Sequence, residues 1–198
     1  GIPLWTDSAG GPGSASIIGN ALDKGRGLTP YADHFGALCG MEVVLADGSL
    51  LRTGNTREAP NRIWNLYKWG VGPYLDGLFA QSNFGIVVKA GVWLMPAPEA
   101  FDFLAFEYTG ADDRFPAMID DLRRLVFQGA LTSRPHLAND FAMLCIVAQY
   151  PKQWLDGRKS LSPDAMARWR KQHGVSRWTF GCGAYGTAEQ VRFQRRTL

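Results

Sequence analysis

Residues 16–35, SIIGNALDKGRGLTPYADHF, form the stretch around which the rest of the chain is organised. Within it, Gly25 and Gly27 flank a single arginine, and a Thr-Pro-Tyr turn follows. Glycine lets a backbone approach a partner closely, and exposed N–H groups along such a path can face an anion or a polar heterocycle. Two interpretations follow from the residues alone: a ligand-binding loop, or an irregular connection between elements.

Composition limits the class of protein. The chain has 198 residues, of which 46% are hydrophobic and 20% charged, which is typical of a globular protein. A net charge of +3 with scattered Lys and Arg argues against nucleic acid as a partner. No apolar run is long enough to cross a membrane, and no signal peptide is visible, so no membrane contact is expected and the cytoplasm is favoured. Three separated cysteines and three separated histidines predict neither a disulfide framework nor a metal site.

Both ends of the sequence have features of an internal fragment. The chain starts at Gly1 without an initiator methionine and stops at Leu198 inside an apparent helix. We therefore expect it to be a segment of a longer polypeptide. A half-domain of this kind leaves apolar surface uncovered and is open to homo-oligomer formation.

The first half reads as short strands joined by loops. Alternation and an Asp-Gly turn predict a hairpin of strands over residues 39–45 and 50–53, and residues 86–93 read as a β-prone strand that can lie buried. Residues 16–22 fit either a strand end or the first turn of a helix. Polar stretches at 8–14 and 55–61 read as loops. A core-facing aromatic stripe is predicted from helical spacing: Trp64, Tyr67 and Trp69.

The second half alternates strands and helices, which predicts an α+β layer with helices on one face of a sheet. We place the boundary between the halves after residue 97, where a Met-Pro-Ala-Pro run interrupts the pattern. Ser162 and Thr187 have the side chains of helix N-caps. The elements predicted are strands over 103–108, 141–149 and 177–185, and helices over 112–129, 163–173 and from 188 onward.

From Leu4 to Pro98 the sequence resembles, in order, the flavoprotein family of vanillyl-alcohol oxidase and 4-cresol dehydrogenase (p-cresol methylhydroxylase). Beyond Pro98 the resemblance is thinner but continues to the end. It rests on SIIGN, LDKGRG and TPYADHF, on the GMEVVLADGSLLRTG hairpin, and on WGVGPYLDGLFAQSNFGIVVKAGVWLMP.

This resemblance implies an α+β fold in two parts. Residues 1–97 would be the C-terminal half, or second subdomain, of a PCMH-type FAD-binding domain. Residues 98–198 would be the first part of a ferredoxin-like α+β cap domain over the substrate.

The resemblance also implies which residues contact FAD. The SxxGN loop and the following glycines lie against the cofactor in the family, and a G-I-V strand entry covers it. Carried onto this chain, the cofactor-binding residues are Ser16, Gly19, Asn20, Gly25, Gly27, Gly85, Ile86 and Val87. Judged by the residues alone, a polar turn is the favoured interpretation of Ser16, Gly19 and Asn20, and the resemblance reverses that preference.

Two acidic positions are candidates for chemistry. Better-known oxidases of the family carry a carboxylate near flavin N5 just before the SxxGN loop, whereas here residues 10–15, GGPGSA, include no acid. Either a longer loop delivers Asp7 as the catalytic carboxylate, or the chain lacks that group. Asp33 and His34 place an acid beside a titratable base. Neighbouring residues of an extended segment face opposite sides, so we expect a structural role for both.

For the parent protein, the resemblance implies hydride transfer from the benzylic carbon of a para-substituted phenol to flavin N5. Its partners would be a phenolic substrate and either oxygen or a cytochrome-type electron acceptor. These residues alone are expected to be inactive. The alternative is a non-catalytic interaction or subunit module that retains half of the flavoprotein fold.

Overall fold

A computed structural model describes residues 1–7, 11–55, 63–109 and 112–198, so the loops predicted over residues 8–14 and 55–61 lie partly outside the described residues. The chain divides into two compact units, Gly1–Pro98 and Glu99–Leu198. Both units mix helix with sheet, and each has its own hydrophobic core. No helix in the described ranges has the length and apolar character needed to cross a membrane.

The first unit is built on a three-stranded antiparallel sheet of order β3-β2-β4, and a separate two-stranded pairing joins β1 to β5. A short 3-10 helix, Asp76–Phe79, precedes β4. The elements are β1 (Leu4–Trp5), α1 (Ile17–Leu22), β2 (Leu38–Val44), β3 (Leu50–Arg52), β4 (Ile86–Val92) and β5 (Met95–Pro96).

Helix α1 packs on one face of this sheet. Ala21 of the helix is buried against Leu38, Met41 and Val43 of β2. Residues 16–22 fitted either a strand end or a helix, and the structure shows a helix over Ile17–Leu22. The Ser16 hydroxyl caps this helix by accepting a hydrogen bond from the Gly19 N–H at 2.9 Å. The hairpin predicted for β2 and β3 is confirmed.

The predicted aromatic stripe is wrong, because residues 63–69 form turns and not a helix. Trp64 turns toward the sheet, and its Nε1 donates to the Thr53 carbonyl at 2.9 Å. Tyr67 and Trp69 are 61% and 66% exposed. The three rings therefore diverge and do not share one buried face.

The second unit has a three-stranded antiparallel sheet of order β6-β8-β7. Leu104, Leu122, Phe180 and Val191 form part of its core. The elements are β6 (Ala100–Tyr108), α2 (Phe115–Phe127), β7 (His136–Asn139), α3 (Asp140–Val147), α4 (Pro163–His173), β8 (Trp178–Gly186) and α5 (Ala188–Thr197).

The helices predicted from N-cap residues are confirmed. Ser162 caps α4 by accepting from the Ala165 N–H, and Gly174 ends that helix with a φ of 62°. Thr187 and Gln190 form a reciprocal capping box at the start of α5. In each case the capping hydrogen bond joins residues three apart, so the local sequence was sufficient to predict where the helix begins.

Two predictions for this unit need correction. Residues 141–149 were expected to be a strand, but Asp140–Val147 is helix α3. Asn139 begins that helix by accepting from the Ala142 N–H at 2.9 Å. The helix expected from residue 112 begins at Phe115, because the Asp112 carboxylate is bound by Arg177 at 2.8 and 2.7 Å and does not cap it.

Candidate functional site

A cleft of about 330 Å³ opens beside helix α1 in the first unit, within the size range of small-molecule sites. Its wall is partly apolar, and its polar groups come from three separate segments of the chain. The described residues that line it are Thr6, Asp7, Gly11, Pro12, Gly13, Ala15, Ser16, Ile17, Asn20, Ala21, Tyr31, His34, Ala37, Val92 and Trp93.

Residues 25–34 form a small antiparallel ribbon behind the cleft. The Gly27 N–H donates to the Ala32 carbonyl at 3.0 Å, and the His34 N–H donates to the Gly25 carbonyl at 3.3 Å. A turn closes the ribbon where the Ala32 N–H donates to the Thr29 carbonyl at 3.0 Å. The Gly-Arg-Gly and Thr-Pro-Tyr signals noted in the sequence thus make one supersecondary feature.

Three polar side chains meet on this ribbon. His34 Nδ1 lies 2.5 Å from Asn20 Oδ1, and His34 Nε2 lies 3.3 Å from Asp7 Oδ1 without the alignment of a hydrogen bond. The other oxygen of Asp7, Oδ2, accepts from the Thr29 N–H at 3.0 Å and from its hydroxyl at 2.5 Å. The side chains of Asp7 and His34 are only 5% and 9% exposed. We call this group the Asp7–His34–Asn20 cluster.

Gly25 and Gly27 make room for the cluster. A Cβ atom on Gly25 would lie 2.0 Å from Asn20 Oδ1, and one on Gly27 would lie 1.7 Å from Asp7 Oδ1. Neither distance is compatible with a side chain. The two glycines are therefore explained by close approach to Asn20 and Asp7.

The structure brings together some of the residues that the sequence singled out. Asp7, Ser16 and Asn20 line the cleft, while Gly19 lies one turn into α1 against Ser16. The Ser16 hydroxyl is already engaged as the helix cap.

Gly85, Ile86 and Val87 lie elsewhere, at the start of β4. In the pairing with β2, Ile86 stands opposite Val44, whereas Val92 at the other end of β4 lines the cleft. Six residues of extended strand separate Ile86 from Val92, which is about 20 Å.

Packing accounts for part of the G-I-V segment. A Cβ on Gly85 would lie 2.5 Å from Val43 Cγ1, so glycine is needed for close packing on β2. Val87 packs against the core of the unit. Ile86 is 71% exposed and is the member of the segment that is available to a partner.

The sequence did not identify Thr29, Trp93 or the contact of His34 with Asp7. Asp7 and Thr29 are 22 residues apart, and no spacing rule relates residues at that separation. A structural role was expected for Asp33, and its Oδ1 accepts from the Gly36 N–H at 2.9 Å.

A second buried polar group lies outside the cleft. Asp76 is fully buried, and its carboxylate oxygens have no hydrogen-bond partner among the described residues. Burial, together with the nearby Asp76 carboxylate, raises the pKa of Tyr74. Lys68 Nζ donates to the Gly36 carbonyl at 2.5 Å and lies 5.8 Å from the centre of the Tyr74 ring. Within the described part of the chain, no cluster of His, Cys, Asp and Glu could hold a metal ion.

No protein-family model matches the chain. Several curated proteins are similar to it in sequence. The 4-cresol dehydrogenase [hydroxylating] flavoprotein subunit of Pseudomonas putida is 35% identical over 196 residues, covering 96% of this chain and 36% of that protein. The 1'-carboxy-chondrochloren decarboxylase of Chondromyces crocatus is 34% identical over 190 residues, covering 96% of this chain and 35% of that protein.

The solved structures that share the fold include two with more than 30% sequence identity. A substrate-bound p-cresol methylhydroxylase has a TM-score of 0.89 and 31% identity, covering 98% of this chain and 38% of that one. A 4-ethylphenol oxidase from Gulosibacter chungangensis, in complex with isoeugenol, has a TM-score of 0.85 and 34% identity, covering 96% of this chain and 36% of that one. The chain is therefore a homologue of 4-cresol dehydrogenase flavoproteins and spans a little over a third of their length.

Proposed function

We propose that this chain is part of an FAD-dependent oxidoreductase that oxidises para-substituted phenols, and that the cleft beside α1 contributes to the flavin site. The observation that carries the proposal is the similarity of 96% of the chain to a flavoprotein subunit. Both similar solved structures are also named for activity on phenols with a para alkyl group. The proposal includes the substrate and the electron acceptor. It also includes the division of the chain at residue 97 into a flavin-binding half and a cap half.

The cleft suits a flat heteroaromatic group. Ala21, Ala37 and Val92 supply apolar wall, while Asn20 and His34 supply polar atoms at one place. His34 Nε2 is buried without a hydrogen-bond partner among the described residues. A ring system with both apolar faces and polar edge atoms matches this combination.

FAD, when bound, supplies the redox step by accepting a hydride from the benzylic carbon of the substrate. The residues of this chain would bind and orient the cofactor and exclude water from it. The Asn20 side-chain amide offers a hydrogen-bond donor at the cleft, and Gly19 adds no side chain to the turn of α1 beside Ser16. For Gly85, Ile86 and Val87 a cofactor contact remains a prediction, and it would be a second contact remote from the cleft.

The contacts of Asp7 favour one of the two alternatives left open by the sequence. One oxygen accepts two hydrogen bonds from Thr29, and the other lies beside His34. A carboxylate with one oxygen engaged in two hydrogen bonds and the other beside a buried imidazole is poorly placed to take a proton from a substrate. We therefore propose that Asp7 organises residues 25–34 and that the catalytic carboxylate of the family is absent from this chain.

The test uses the natural polypeptide that contains these residues. We expect the purified protein to carry flavin and to convert 4-ethylphenol, with oxygen uptake if it is an oxidase or reduction of an added cytochrome if it is a dehydrogenase. 4-tert-Butylphenol is the matched control, because it lacks a benzylic hydrogen and should not react. The 198-residue chain, assayed in parallel, should show no turnover.

Two other outcomes would replace this proposal. A protein without flavin that takes up none would favour the non-catalytic interaction or subunit module. Release of carbon dioxide from a carboxylated substrate, without phenol oxidation, would favour decarboxylation, the activity for which the 34% identical relative is named.

A further inference from the structure

We propose that His34 is a positioning residue that holds the side-chain amide of Asn20 with its NH₂ group toward the cleft. Asn20 would thereby donate a hydrogen bond to a ring carbonyl or ring nitrogen of an uncharged heteroaromatic group. This inference rests on the proposed flavin-binding function and assigns the recognition of the ring system to one residue of the cleft.

The contact between His34 and Asn20 fixes which end of the amide faces the ring. Asn20 Oδ1 is 2.5 Å from His34 Nδ1, and a carbonyl oxygen can only accept, so Nδ1 carries the hydrogen. Asp7 lies on the opposite side of the imidazole, with Oδ1 3.3 Å from Nε2. No hydrogen bond joins that oxygen to Nε2, whereas a hydrogen on Nδ1 satisfies Asn20 Oδ1.

The other end of the amide is free to bind. Asn20 Nδ2 makes no hydrogen bond within the described residues and is not a buried atom, and the cavity that Asn20 lines is the cleft. The Asn20 backbone is held on both sides, because its N–H donates to the Ser16 carbonyl at 3.0 Å and its carbonyl accepts from the Gly25 N–H at 2.8 Å. Only the side-chain torsions remain for His34 to fix.

Gly25 makes this orientation accessible. A Cβ at that position would lie 2.0 Å from Asn20 Oδ1, 2.4 Å from Cγ and 2.5 Å from Nδ2. The amide therefore lies directly on the backbone of Gly25, and any larger residue would displace it. Asp7 is accommodated in the same way by Gly27.

The charge of the cleft indicates which kind of ligand atom would be recognised. Among the described residues that line it there is no Lys or Arg, and Asp7 is acidic. A phosphate would meet no cation there. An uncharged acceptor on an aromatic ring would meet the Asn20 amide beside the apolar surface of Ala21 and Val92.

The first experiment needs no flavin. In the apoprotein of the natural polypeptide, ¹⁵N NMR of the imidazole should show a hydrogen on His34 Nδ1, with a shift that changes in Asn20→Ala. A ring with Nε2 protonated and Nδ1 bare would overturn the proposal, because the amide would then have to present its oxygen to the cleft.

The second experiment measures the dissociation constant of FAD. Asn20→Asp keeps the acceptor for His34 and removes both donors, so affinity should fall about tenfold or more, the value of one lost hydrogen bond. Asn139→Asp, which keeps the cap of α3 in the second unit, is the matched control and should leave the affinity unchanged.

A variant series separates positioning from a general structural role. His34→Leu should weaken FAD binding to a similar degree, and His34→Gln, whose amide can donate to Asn20, should restore part of it. The double variant Asn20→Asp/His34→Leu should be no weaker than the worse single variant, because both act through one amide. If the losses of FAD affinity in the two single variants add up in the double variant, positioning is refuted. If His34→Leu does not fold, His34→Gln takes its place in the double variant, and the same criterion applies.

The outcomes distinguish this inference from the proposed function. Wild-type protein that binds no FAD would refute the function, while the NMR result would still decide the orientation of Asn20. Wild-type protein that binds FAD, with Asn20→Asp within about twofold of it, would refute the inference alone.

Discussion

Gly27→Ala is the sharpest test of the Asp7–His34–Asn20 cluster. The backbone of Gly27 has no positive φ, so alanine adopts it without strain, and the whole cost arises from overlap. The new Cβ would lie 1.7 Å from Asp7 Oδ1, well inside contact distance, so the carboxylate has to leave.

The expected loss of stability follows from the hydrogen bonds that Asp7 would lose. Oδ2 accepts two hydrogen bonds from Thr29, at 3.0 and 2.5 Å. Hydrogen bonds to a charged group contribute about 1.5–3 kcal/mol each, and water recovers part of this when the carboxylate moves out. We therefore expect the free energy of unfolding to fall by about 3 kcal/mol, a large fraction of the stability of a domain.

The assay is urea unfolding followed by hydrogen exchange of peptides, which reads the two units separately. Peptides from Glu99–Leu198 serve as the internal control and should not change. Gly77→Ala is the matched substitution, because a Cβ there meets no atom within 4 Å. It should alter the stability by less than about 0.5 kcal/mol.

A double-mutant cycle supplies the refuting result. In an Asp7→Ala background the overlapping carboxylate is gone, so Gly27→Ala should cost less than about 1 kcal/mol. An equal cost in both backgrounds would show that Gly27 is needed for some reason other than Asp7.

Three further outcomes are expected. Thr187→Ala should lower the stability of the second unit by about 1 kcal/mol in a thermal melt, whereas Thr187→Ser should retain the cap, and equal losses would argue against the capping box. Iodoacetamide followed by mass spectrometry should modify exposed Cys145 in the folded chain and spare Cys39 and Cys182, which are buried and whose pKa values burial raises; all three should react in urea. Because the pKa of Cys182 rises to about 11 from 9.0, its contribution to stability is complete below pH 9 and is lost as the pH rises through 11. The urea midpoint should therefore fall less steeply with alkaline pH in Cys182→Ala than in the wild type, and parallel declines would contradict this assignment.

The sequence predicted those elements whose decisive contacts are local. Helices α4 and α5 begin with Ser162 and Thr187, each of which binds a backbone N–H three residues later. Helix α3 was missed although Asn139 offers the same signal, because the run FAMLCIV is apolar throughout and has neither a helical nor a strand period.

The site was predictable only in part, for the same reason. Ser16 and Asn20 lie within one turn of α1, and their shared surface follows from that spacing. The contacts of Asp7 with Thr29 and His34 depend on how distant segments pack, and no pattern in the chain encodes them. The glycine pair was recognised as unusual, but the side chains that require it were not.

Strand β4 forms a border of the sheet in the first unit, with β2 as its pairing partner among the described residues. Along this border Ile86 and Val88 are 71% and 53% exposed, and Lys89 is the one charge within the strand. A border of this kind is a template on which another extended segment can pair through its main chain. We therefore expect copies of this chain to pair along β4 at high concentration, and we expect Val88→Lys to oppose that pairing.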